Sequence, residues 1–553
     1  MDRSFRIIKR IALLALNAIL IIAPLGYAQD ACTDIIVGKM ASVDGSVITS
    51  HTECCPDCRV FVVPAQTFKK GDKAPVYYRW CDATRPLGDL GDILGNIPQV
   101  EKTFAYFHSG YSHMNEHQLA IGESTTFQKD ELMVDRHTGQ QIMTVDMATV
   151  FALQRCKTAR SAIQLITSLM EKYGFLPSAG PNSETLCIAD PNEAWVLELF
   201  SVGFDWEPES GRLGVLWAAQ RVPDDHVAVV PNWSIIKEID LSNPDYFMAA
   251  ENYQQVAIDY GWYDPDSGKP FIWREVYAPI PKEFAISRLW LFYTTYSPSL
   301  KEWPKRKLTT LFSSYNAFYQ ELEPLSIYPF SVKPEKKLSV QDVIAYQRSV
   351  FEGTIYDMTA DVDWLVPDAK GGFKKSPLTN PFPRKDMRDL LDITWRRVVS
   401  MGGYGMVAQL RSWLPDSIGG VYWYYVDNQY VTTYVPIYAG VQEISPYFKT
   451  YDPNKFSEDS AKWVIDLVDN LLHMKWQEAI KDLKAVRDPL EARFFADQPA
   501  IEEKALDLYR KDPDAAKNFL TDYTIANMEE VMAMYKKLRN LLITKYTNNK
   551  EFF

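Results

Sequence analysis

The residue best suited to covalent chemistry near the start of the chain is Cys32, in the stretch QDACTDIIVGKMASVDGSVITSH (residues 29–51). A cysteine attacks a carbonyl as the thiolate, so a catalytic cysteine needs a base within reach. If the peptide bond before Cys32 is cut, its own α-amine becomes that base, because an α-amine has a pKa of about 7.7 to 8.0 and is partly neutral at pH 7. One residue then supplies both nucleophile and proton acceptor, and the uncut precursor is inactive.

The residues before Cys32 predict export and removal of a leader. Basic residues precede an apolar run, residues 11–25, and the Gly-Tyr-Ala of residues 26–28 offers the small-x-small pattern that signal peptidase requires. The run is shorter than the roughly 20 apolar residues of a membrane-spanning helix, which favours a cleaved signal over an anchor. We therefore interpret residues 1–28 as a signal peptide and expect an exported protein, periplasmic or extracellular, with no membrane attachment after cleavage.

Three residues, Gln29, Asp30 and Ala31, separate this signal from Cys32. The polar Gln29 and Asp30 are a poor context for lipidation of the cysteine, which usually follows apolar and small residues. We interpret residues 29–31 as a short propeptide whose removal exposes Cys32 with a free α-amine. Autocatalytic removal and cleavage by another protease both remain open.

The cysteine count favours a thiol at Cys32 that is free of disulfides. The chain has seven cysteines: Cys32, Cys54, Cys55, Cys58, Cys81, Cys156 and Cys187. An odd number leaves at least one unpaired in an oxidising compartment, and Cys32 is the most isolated. The four cysteines between residues 54 and 81 are close enough for local disulfides, but their spacing does not choose the pairs. The Cys-Pro-Asp-Cys of residues 55–58 is also compatible with a redox or zinc half-site, although no second matching pair accompanies it.

Composition and charge indicate a globular protein that does not bind nucleic acid or an anionic membrane. The chain has 553 residues, 47% hydrophobic and 13% aromatic, which excludes a disordered chain. The net charge is −12, and removal of residues 1–31, with four basic and two acidic side chains, takes it to −14. Such an acidic surface argues against nucleic acid or an anionic membrane as a partner. The oligomeric state is left open.

The segments around Cys32 predict β-structure that places the thiol at a strand end. The runs DIIVGKM and SVITSH alternate as strands, and Asp44-Gly45 between them is a strong hairpin signal. Further strand-like runs lie on both sides of a segment with helical spacing, residues 162–173, which ends at Gly174. This order predicts layered sheets with helices outside. From residue 457 onward the pattern is helical, and a buried helix is expected there.

A competing motif is the His-Met-Asn-Glu-His of residues 113–117, which matches the H-x-x-E-H signature of zinc peptidases. That chemistry needs both histidines on one face of a helix. Here a strand-like run follows the motif, and Asn115-Glu116 falls where a hairpin turn is expected. The spacing therefore favours histidines satisfied within the fold over a zinc site.

The chain resembles the PepD-like cysteine dipeptidases, members of the N-terminal nucleophile hydrolases, which also include penicillin V acylases and bile salt hydrolases. The resemblance begins at Cys-Thr followed by IIVGKMASVDGSVI and continues through further blocks in family order. These are MNEHQLAIGEST (114–125), ETLCIADPNEAWVLEL (184–199), WAAQRVPDDHVAVVPNW (217–233), SRLW (287–290), LRSWLPDSIGGVYWYYVD (410–427) and YVPIYAGV (434–441). The resemblance implies an α+β fold, a four-layer αββα sandwich, over residues 32–450, with residues 451–553 as a helical extension packed on it. It implies no cofactor and no metal.

The resemblance also assigns roles to particular residues. Cys32 is the nucleophile that forms a thioester, and Asn232 matches an oxyanion donor, although an Asn after a Pro is also typical of a turn. Arg288 resembles a site arginine of the acylases, with a structural salt bridge as the alternative. Ser124, in the block 114–125, is expected to bind substrate.

The chain departs from the family pattern after its second strand, where many relatives have an Arg-Asn-Glu-Asp-like string. Here the residues are His51, Thr52, Glu53 and Cys54. His51 either tunes the thiolate or caps the strand. Glu53 is the surviving carboxylate, positioned to orient the α-amine of Cys32 or of a substrate. His51 and Glu53 are therefore expected, with Ser124, to contact the substrate.

Three functions follow from these residues. A dipeptidase acting on small peptides, with Cys32 as nucleophile, is the first, and an acylase of non-peptide amides with the same catalytic residues is the second. An acidic residue in the pocket favours the dipeptidase, since a dipeptide carries a charged α-amine. The third, an inactive binding protein, requires Cys32 to stay blocked behind residues 29–31.

Overall fold

A computed structural model describes the chain from residue 32 to residue 547, except for residues 79–82, 179, 280–282, 303–327, 355, 392, 394–397 and 401. The predicted signal peptide, residues 1–28, and the predicted propeptide, residues 29–31, lie outside the described residues. The same holds for Cys81.

The strands, in chain order, are β1 Asp34–Val37, β2 Val47–Glu53, β3 Phe61–Val63, β4 Lys73–Tyr78, β5 Asp92–Pro98, β6 Tyr106–His108, β7 Met114–Asn115, β8 Ala120–Thr126, β9 Met143–Thr144, β10 Phe175–Leu176, β11 Ser183–Ala189, β12 Ala194–Phe200, β13 Leu216–Val222, β14 Val227–Val230, β15 Phe247–Ala249, β16 Leu365–Pro367, β17 Phe373–Lys375, β18 Tyr404–Leu410, β19 Val421–Val426 and β20 Val435–Tyr438. The α-helices are α1 Val145–Arg155, α2 Ala159–Tyr173, α3 Gln255–Asp259, α4 Trp273–Tyr277, α5 Glu283–Tyr296, α6 Val340–Gln347, α7 Lys385–Leu391, α8 Asp416–Gly419, α9 Pro446–Lys449, α10 Ala461–Leu472, α11 Trp476–Tyr509 and α12 Pro513–Tyr546.

Two antiparallel sheets form the centre of the fold. The first has the strand order β14-β1-β2-β18-β19-β20, and the second has the order β15-β13-β12-β11-β8-β7-β6-β3. Strand β2 of the first sheet contacts β8 and β11 of the second, so the two sheets pack on each other. The predicted mixed α+β class with layered sheets is confirmed.

The hairpin after Cys32 forms where the sequence predicts it. Strands β1 and β2 pair antiparallel, with Ile36 opposite Thr49. In the connection Asp44 Oδ1 accepts hydrogen bonds from the backbone N–H and the hydroxyl of Ser46, and Gly45 has a φ of +86°. Because a left-handed φ is strained for residues with a Cβ, glycine is the residue that suits this turn.

Polar residues fill the layer between the sheets. Every residue of β2 (VITSHTE) and of β8 (AIGESTT) is buried, although both strands are rich in hydroxyl and charged groups. Buried polar side chains are costly unless they are hydrogen-bonded. Their concentration on two facing strands therefore indicates a functional region and not only a packed core.

The helices cover the outer parts of the sheets. Helix α2 contacts β11 and β12, and α6 contacts β2 and β18. Helices α10 and α12 contact β19 and β20 respectively, and the predicted apolar stripe of α12 is buried: Met528, Val531, Tyr535, Leu538 and Leu542. The boundary at residue 450 between catalytic body and helical extension stays a prediction. Among the described residues, no helix combines the length and the hydropathy needed to cross a membrane.

Candidate active site

Cys32 lies just before β1, the strand held between β14 and β2. Its side chain is 3% exposed, and its Sγ donates to Glu53 Oε2 over 3.1 Å. The next residue anchors the backbone, since Thr33 N donates to Thr52 Oγ1 over 2.8 Å and Thr33 Oγ1 donates to Val399 O over 3.0 Å. The thiol is therefore fixed at a strand end, beside a carboxylate.

Glu53 is the last residue of β2, and the chain that follows it orients its carboxylate. Glu53 Oε1 accepts hydrogen bonds from the backbone N–H groups of Cys54, over 2.8 Å, and of Cys55, over 2.9 Å. These bonds leave Oε2 facing the thiol of Cys32. The sequence predicts a carboxylate beside the nucleophile, and the structure brings Glu53 there; its role toward a substrate stays a prediction.

The surroundings of Cys32 favour the protonated thiol. Burial raises the pKa of Cys32 well above its ordinary value, and the carboxylates of Glu53 and Glu123 raise it further. A thiol is a poor nucleophile until it is deprotonated. Cys32 therefore needs a base that removes its proton before it can attack a carbonyl.

Arg288, on α5, connects Cys32 to Asn232. Its side chain is fully buried and donates to five oxygens, none of them charged. The acceptors are Cys32 O at 2.5 Å, Thr33 Oγ1 at 2.8 Å, Pro231 O at 2.7 Å, Asn232 Oδ1 at 3.0 Å and Phe284 O at 2.9 Å. The guanidinium therefore fixes the backbone of the thiol-bearing residue and the side chain of the predicted oxyanion donor relative to each other.

Asn232 follows β14 in a left-handed conformation, with a φ of +56° that asparagine tolerates better than most residues. Its Nδ2 donates to Thr125 O over 2.9 Å, and its backbone N–H donates to Ser124 Oγ over 3.2 Å. Because an amide Nδ2 carries two hydrogens, one remains for a further acceptor. The structure brings Ser124, Asn232 and Arg288 together, while their catalytic and substrate-binding roles stay predictions.

His51 is completely buried between the sheets rather than bonded to the thiol. Its Nδ1 lies 2.7 Å from Glu123 O and 3.3 Å from Asp34 Oδ1. Its ring also contacts the rings of Tyr111, His113 and Tyr404. The interpretation of His51 as a cap of the strand is wrong, because β2 continues to Glu53. The histidine instead contacts β8, where the backbone N–H of Glu123 also donates to His51 Nδ1 over 3.1 Å.

Burial lowers the pKa of His51 to about 4, from an ordinary value of 6.5. Between these two pH values the unfolded chain binds a proton that the folded chain does not, so the free energy of unfolding rises with pH by up to about 1.4 kcal/mol per pH unit. We expect the free energy of unfolding to rise less steeply with pH in His51→Gln than in the wild type, as measured by urea denaturation from pH 4 to 7. Asp34, whose pKa burial raises, is present in both proteins and contributes to both curves. Equal slopes of unfolding free energy against pH in the two proteins would show that the fold does not lower the pKa of His51.

The histidines of the H-x-x-E-H motif lie on a β-hairpin, not on a helix. The strand β7, Met114–Asn115, lies between them. His113 Nδ1 is 2.5 Å from the hydroxyl of Tyr422, and His117 Nδ1 is 3.0 Å from Asp416 Oδ2. Each histidine thus has a partner within the fold, in agreement with the hairpin that the sequence predicts.

The structure adds two buried carboxylates that sequence reasoning missed, Glu123 on β8 and Glu184 on β11. One oxygen of Glu123, one of Glu53 and the sulfur of Cys32 all lie within 4.8 Å of one another. A thiolate and two carboxylates are ligand types that Zn²⁺ accepts, so these three residues are the group in the described chain that could hold a metal ion. The sequence signal was a glutamate inside the strand-like run QLAIGES, at the end of an otherwise apolar stretch.

The cysteines divide as the odd count predicts. Cys55 is in a disulfide. Five others are not: Cys32, Cys54, Cys58, Cys156 and Cys187. Because Cys58 is a free thiol while Cys55 is not, residues 55–58 do not form a closed redox pair.

Comparison with known proteins assigns this arrangement to a family. A model of peptidase family C69 matches residues 31–488, beginning one residue before Cys32. The chain belongs to peptidase family C69. It is a hydrolase acting on peptide bonds, and both the resemblance to PepD-like enzymes and the predicted hydrolase activity are confirmed.

Relatives of this C69 peptidase match along most of both chains. A protein of Latilactobacillus sakei named "Probable dipeptidase" is 23% identical over 499 residues, 86% of this chain and 89% of the relative. A "Probable dipeptidase B" of Streptococcus pyogenes serotype M1 is 23% identical over 544 residues, 94% of each chain. A "Probable dipeptidase A" of Streptococcus pyogenes serotype M3 is 23% identical over 501 residues, 89% of this chain and 94% of the relative.

Proposed function

We propose that this C69 peptidase is an exported dipeptidase whose mature chain begins at Cys32 and whose thiol forms a thioester with the substrate. The convergence of Glu53, Arg288 and Asn232 on Cys32 is the observation that carries the proposal. The relatives named dipeptidases support the substrate class. The acylase alternative has no comparable support among these relatives.

In the proposed reaction the α-amine of Cys32 acts as the base both when the acyl-enzyme forms and when water releases it. The neutral α-amine of Cys32 takes the thiol proton, and the thiolate attacks the scissile carbonyl carbon. The second Nδ2 hydrogen of Asn232 is available to the tetrahedral oxyanion, and the ammonium returns its proton to the leaving amine as the C–N bond breaks. A water molecule, deprotonated by the same amine, then attacks the thioester and releases the acid and the thiol. Glu53 orients the amine throughout.

The fold proposed for this chemistry is the four-layer αββα sandwich of the N-terminal nucleophile hydrolases. The contact of β2 with β8 and β11, together with helices against both sheets, supports it. In this arrangement the nucleophile lies at the end of a central strand, as Cys32 does before β1.

The test of the proposal is the N-terminal sequence of the protein recovered from the periplasm or the medium. We expect Cys32 as the first residue, an intact mass that lacks residues 1–31, and turnover of dipeptides. A fully active protein that begins at Gln29 would contradict the self-activated mechanism, because its α-amine would be three residues from the thiol. A secreted protein that begins at Gln29 and is inactive would favour the binding-protein alternative.

A substrate panel separates the dipeptidase from the acylase. The mature enzyme is expected to prefer free dipeptides over amides without an α-amine by about 10³-fold or more, since a site built for a charged donor rejects an analogue that lacks it. Preference for acyl amides such as penicillin V or bile salt conjugates would contradict the dipeptidase and support the acylase.

A further inference from the structure

We propose that Glu123 and Glu184 form the subsite for the α-ammonium group of the substrate. This inference rests on the proposed dipeptidase function and names the residues that select a substrate with a free N-terminus. The carboxylates that bind the ammonium group thus lie on β8 and β11, and Glu53 on β2 is not one of them.

The position of Glu123 fits an ammonium attached next to the scissile bond. In an aminoacyl group the nitrogen is two bonds from the carbonyl carbon, about 2.5 Å away. The attacking sulfur approaches that carbon to about 3 to 3.5 Å before bond formation. A carboxylate oxygen within 4.8 Å of the Cys32 sulfur, as Glu123 provides, can therefore come within hydrogen-bond distance of the nitrogen when the substrate turns its amine toward β8.

Both carboxyl groups are buried, and one oxygen of Glu123 has no donor. Glu123 is 2% exposed and Glu184 is fully buried. Thr125 Oγ1 donates to Glu123 Oε1 over 3.3 Å, whereas in the described part of the chain no hydrogen-bond donor reaches Glu123 Oε2. Burial and repulsion by Glu184 raise the pKa of Glu123, and burial raises the pKa of Glu184. An ammonium ion supplies a positive charge for the two carboxyl groups and a donor for Glu123 Oε2.

The neighbouring buried glutamates differ in this respect. Glu198, on β12, accepts hydrogen bonds from Ser234 and Trp273 and from the backbone N–H groups of residues 235 and 236. Glu53 accepts from two backbone N–H groups and from the thiol. These two carboxylates are satisfied within the protein, whereas a buried acceptor left without a donor costs about 1–3 kcal/mol. Glu123, with one unsatisfied oxygen near the Cys32 sulfur and Glu184 as its charged neighbour, is therefore the carboxylate available to a ligand.

The test compares Ala-Ala with propionyl-alanine, which lacks only the α-amine, in mature wild-type, Glu123→Gln and Glu184→Gln enzymes. We expect kcat/KM for Ala-Ala to fall by about 10²-fold in each variant, mainly through KM, while kcat/KM for propionyl-alanine stays within about threefold. The ratio of the two values does not depend on how much of each variant folds. Glu198→Gln, which alters a satisfied carboxylate, is the matched control and should leave the ratio unchanged.

Inhibition of the enzyme provides a second measurement. Alaninol, an amine with no scissile bond, should inhibit the wild type competitively and should inhibit Glu184→Gln about 10²-fold more weakly, while 1-propanol should inhibit neither. If the wild type cleaves Ala-Ala but both variants lose the two substrates by the same factor, the subsite assignment is wrong and the carboxylates serve Cys32 or the fold. If the wild type prefers propionyl-alanine, the dipeptidase itself is wrong.

Discussion

Replacing Cys32 with alanine is expected to lower kcat for a dipeptide by about 10⁶-fold, the scale on which a hydrolase loses its nucleophile. The Cys54 thiol also donates to Glu53, at Oε1 over 3.5 Å, but Arg288 fixes the backbone of Cys32 and not that of Cys54, so we do not expect Cys54 to take over. The measurement is steady-state hydrolysis of Ala-Ala, with trapping of the acyl-enzyme as a covalent mass increase in the wild type. Alanine at position 32 should leave the fold intact, since the buried volume removed is one sulfur atom.

The matched control is Cys156→Ala, which removes a buried free thiol at the end of α1, away from β1. Its Sγ donates only to Ser161 O at 3.3 Å among the hydrogen bonds of the described residues. This variant should keep full turnover. Residual activity of Cys32→Ala above about 1% of wild type, or loss of activity in Cys156→Ala, would show that the nucleophile is assigned to the wrong residue.

Replacing Arg288 with alanine should both unfold and inactivate the enzyme. The change removes a fully buried cation and the donor to the carbonyls of Cys32 and Pro231. Each buried acceptor that loses its donor costs about 1–3 kcal/mol, and a misplaced nucleophile and oxyanion donor should reduce kcat by about 10²-fold or more. Arg288→Lys keeps the charge but not the planar set of N–H donors of the guanidinium. Compared with Arg288→Ala, it should recover more of the stability than of the activity.

The measurements are urea denaturation and kcat per folded molecule. Arg348 offers a control, because it is a partly buried arginine bonded bidentately to Glu491 of α11, at 2.7 Å and 2.8 Å. Arg348→Ala should lose comparable stability while the folded fraction keeps its kcat. Equal kcat losses in the two alanine variants would make Arg288 a purely structural residue.

Local patterns predicted much of the fold. The Asp44-Gly45 turn, the strands of the second sheet and the helix ending at Gly174 each follow from short-range chemistry: turn residues, alternation and periodicity. The hairpin that carries the H-x-x-E-H motif followed from the same signals. These features depend on neighbours in sequence, which is why a single chain reveals them.

The missed parts of the site depend on contacts between distant segments. His51 and Glu123 are 72 positions apart and meet only because β2 packs on β8. Strand β2 was predicted to end at His51, yet pairing with β18 extends it to Glu53. Glu184 resembles an ordinary solvent-exposed strand residue until β8 and the helices bury it. Tertiary burial, rather than residue type, makes these carboxylates chemically unusual.

None of the hydrogen bonds described around Cys32 uses an α-amine of that residue. Under the proposed maturation, cleavage before Cys32 therefore has only to create an amine and not to rearrange Glu53, Arg288 and Asn232. Maturation would then convert the amide nitrogen of Cys32 into an amine while the residues around it keep their positions. Activity should therefore increase in exact proportion to the fraction of cleaved chains, with no lag between the two.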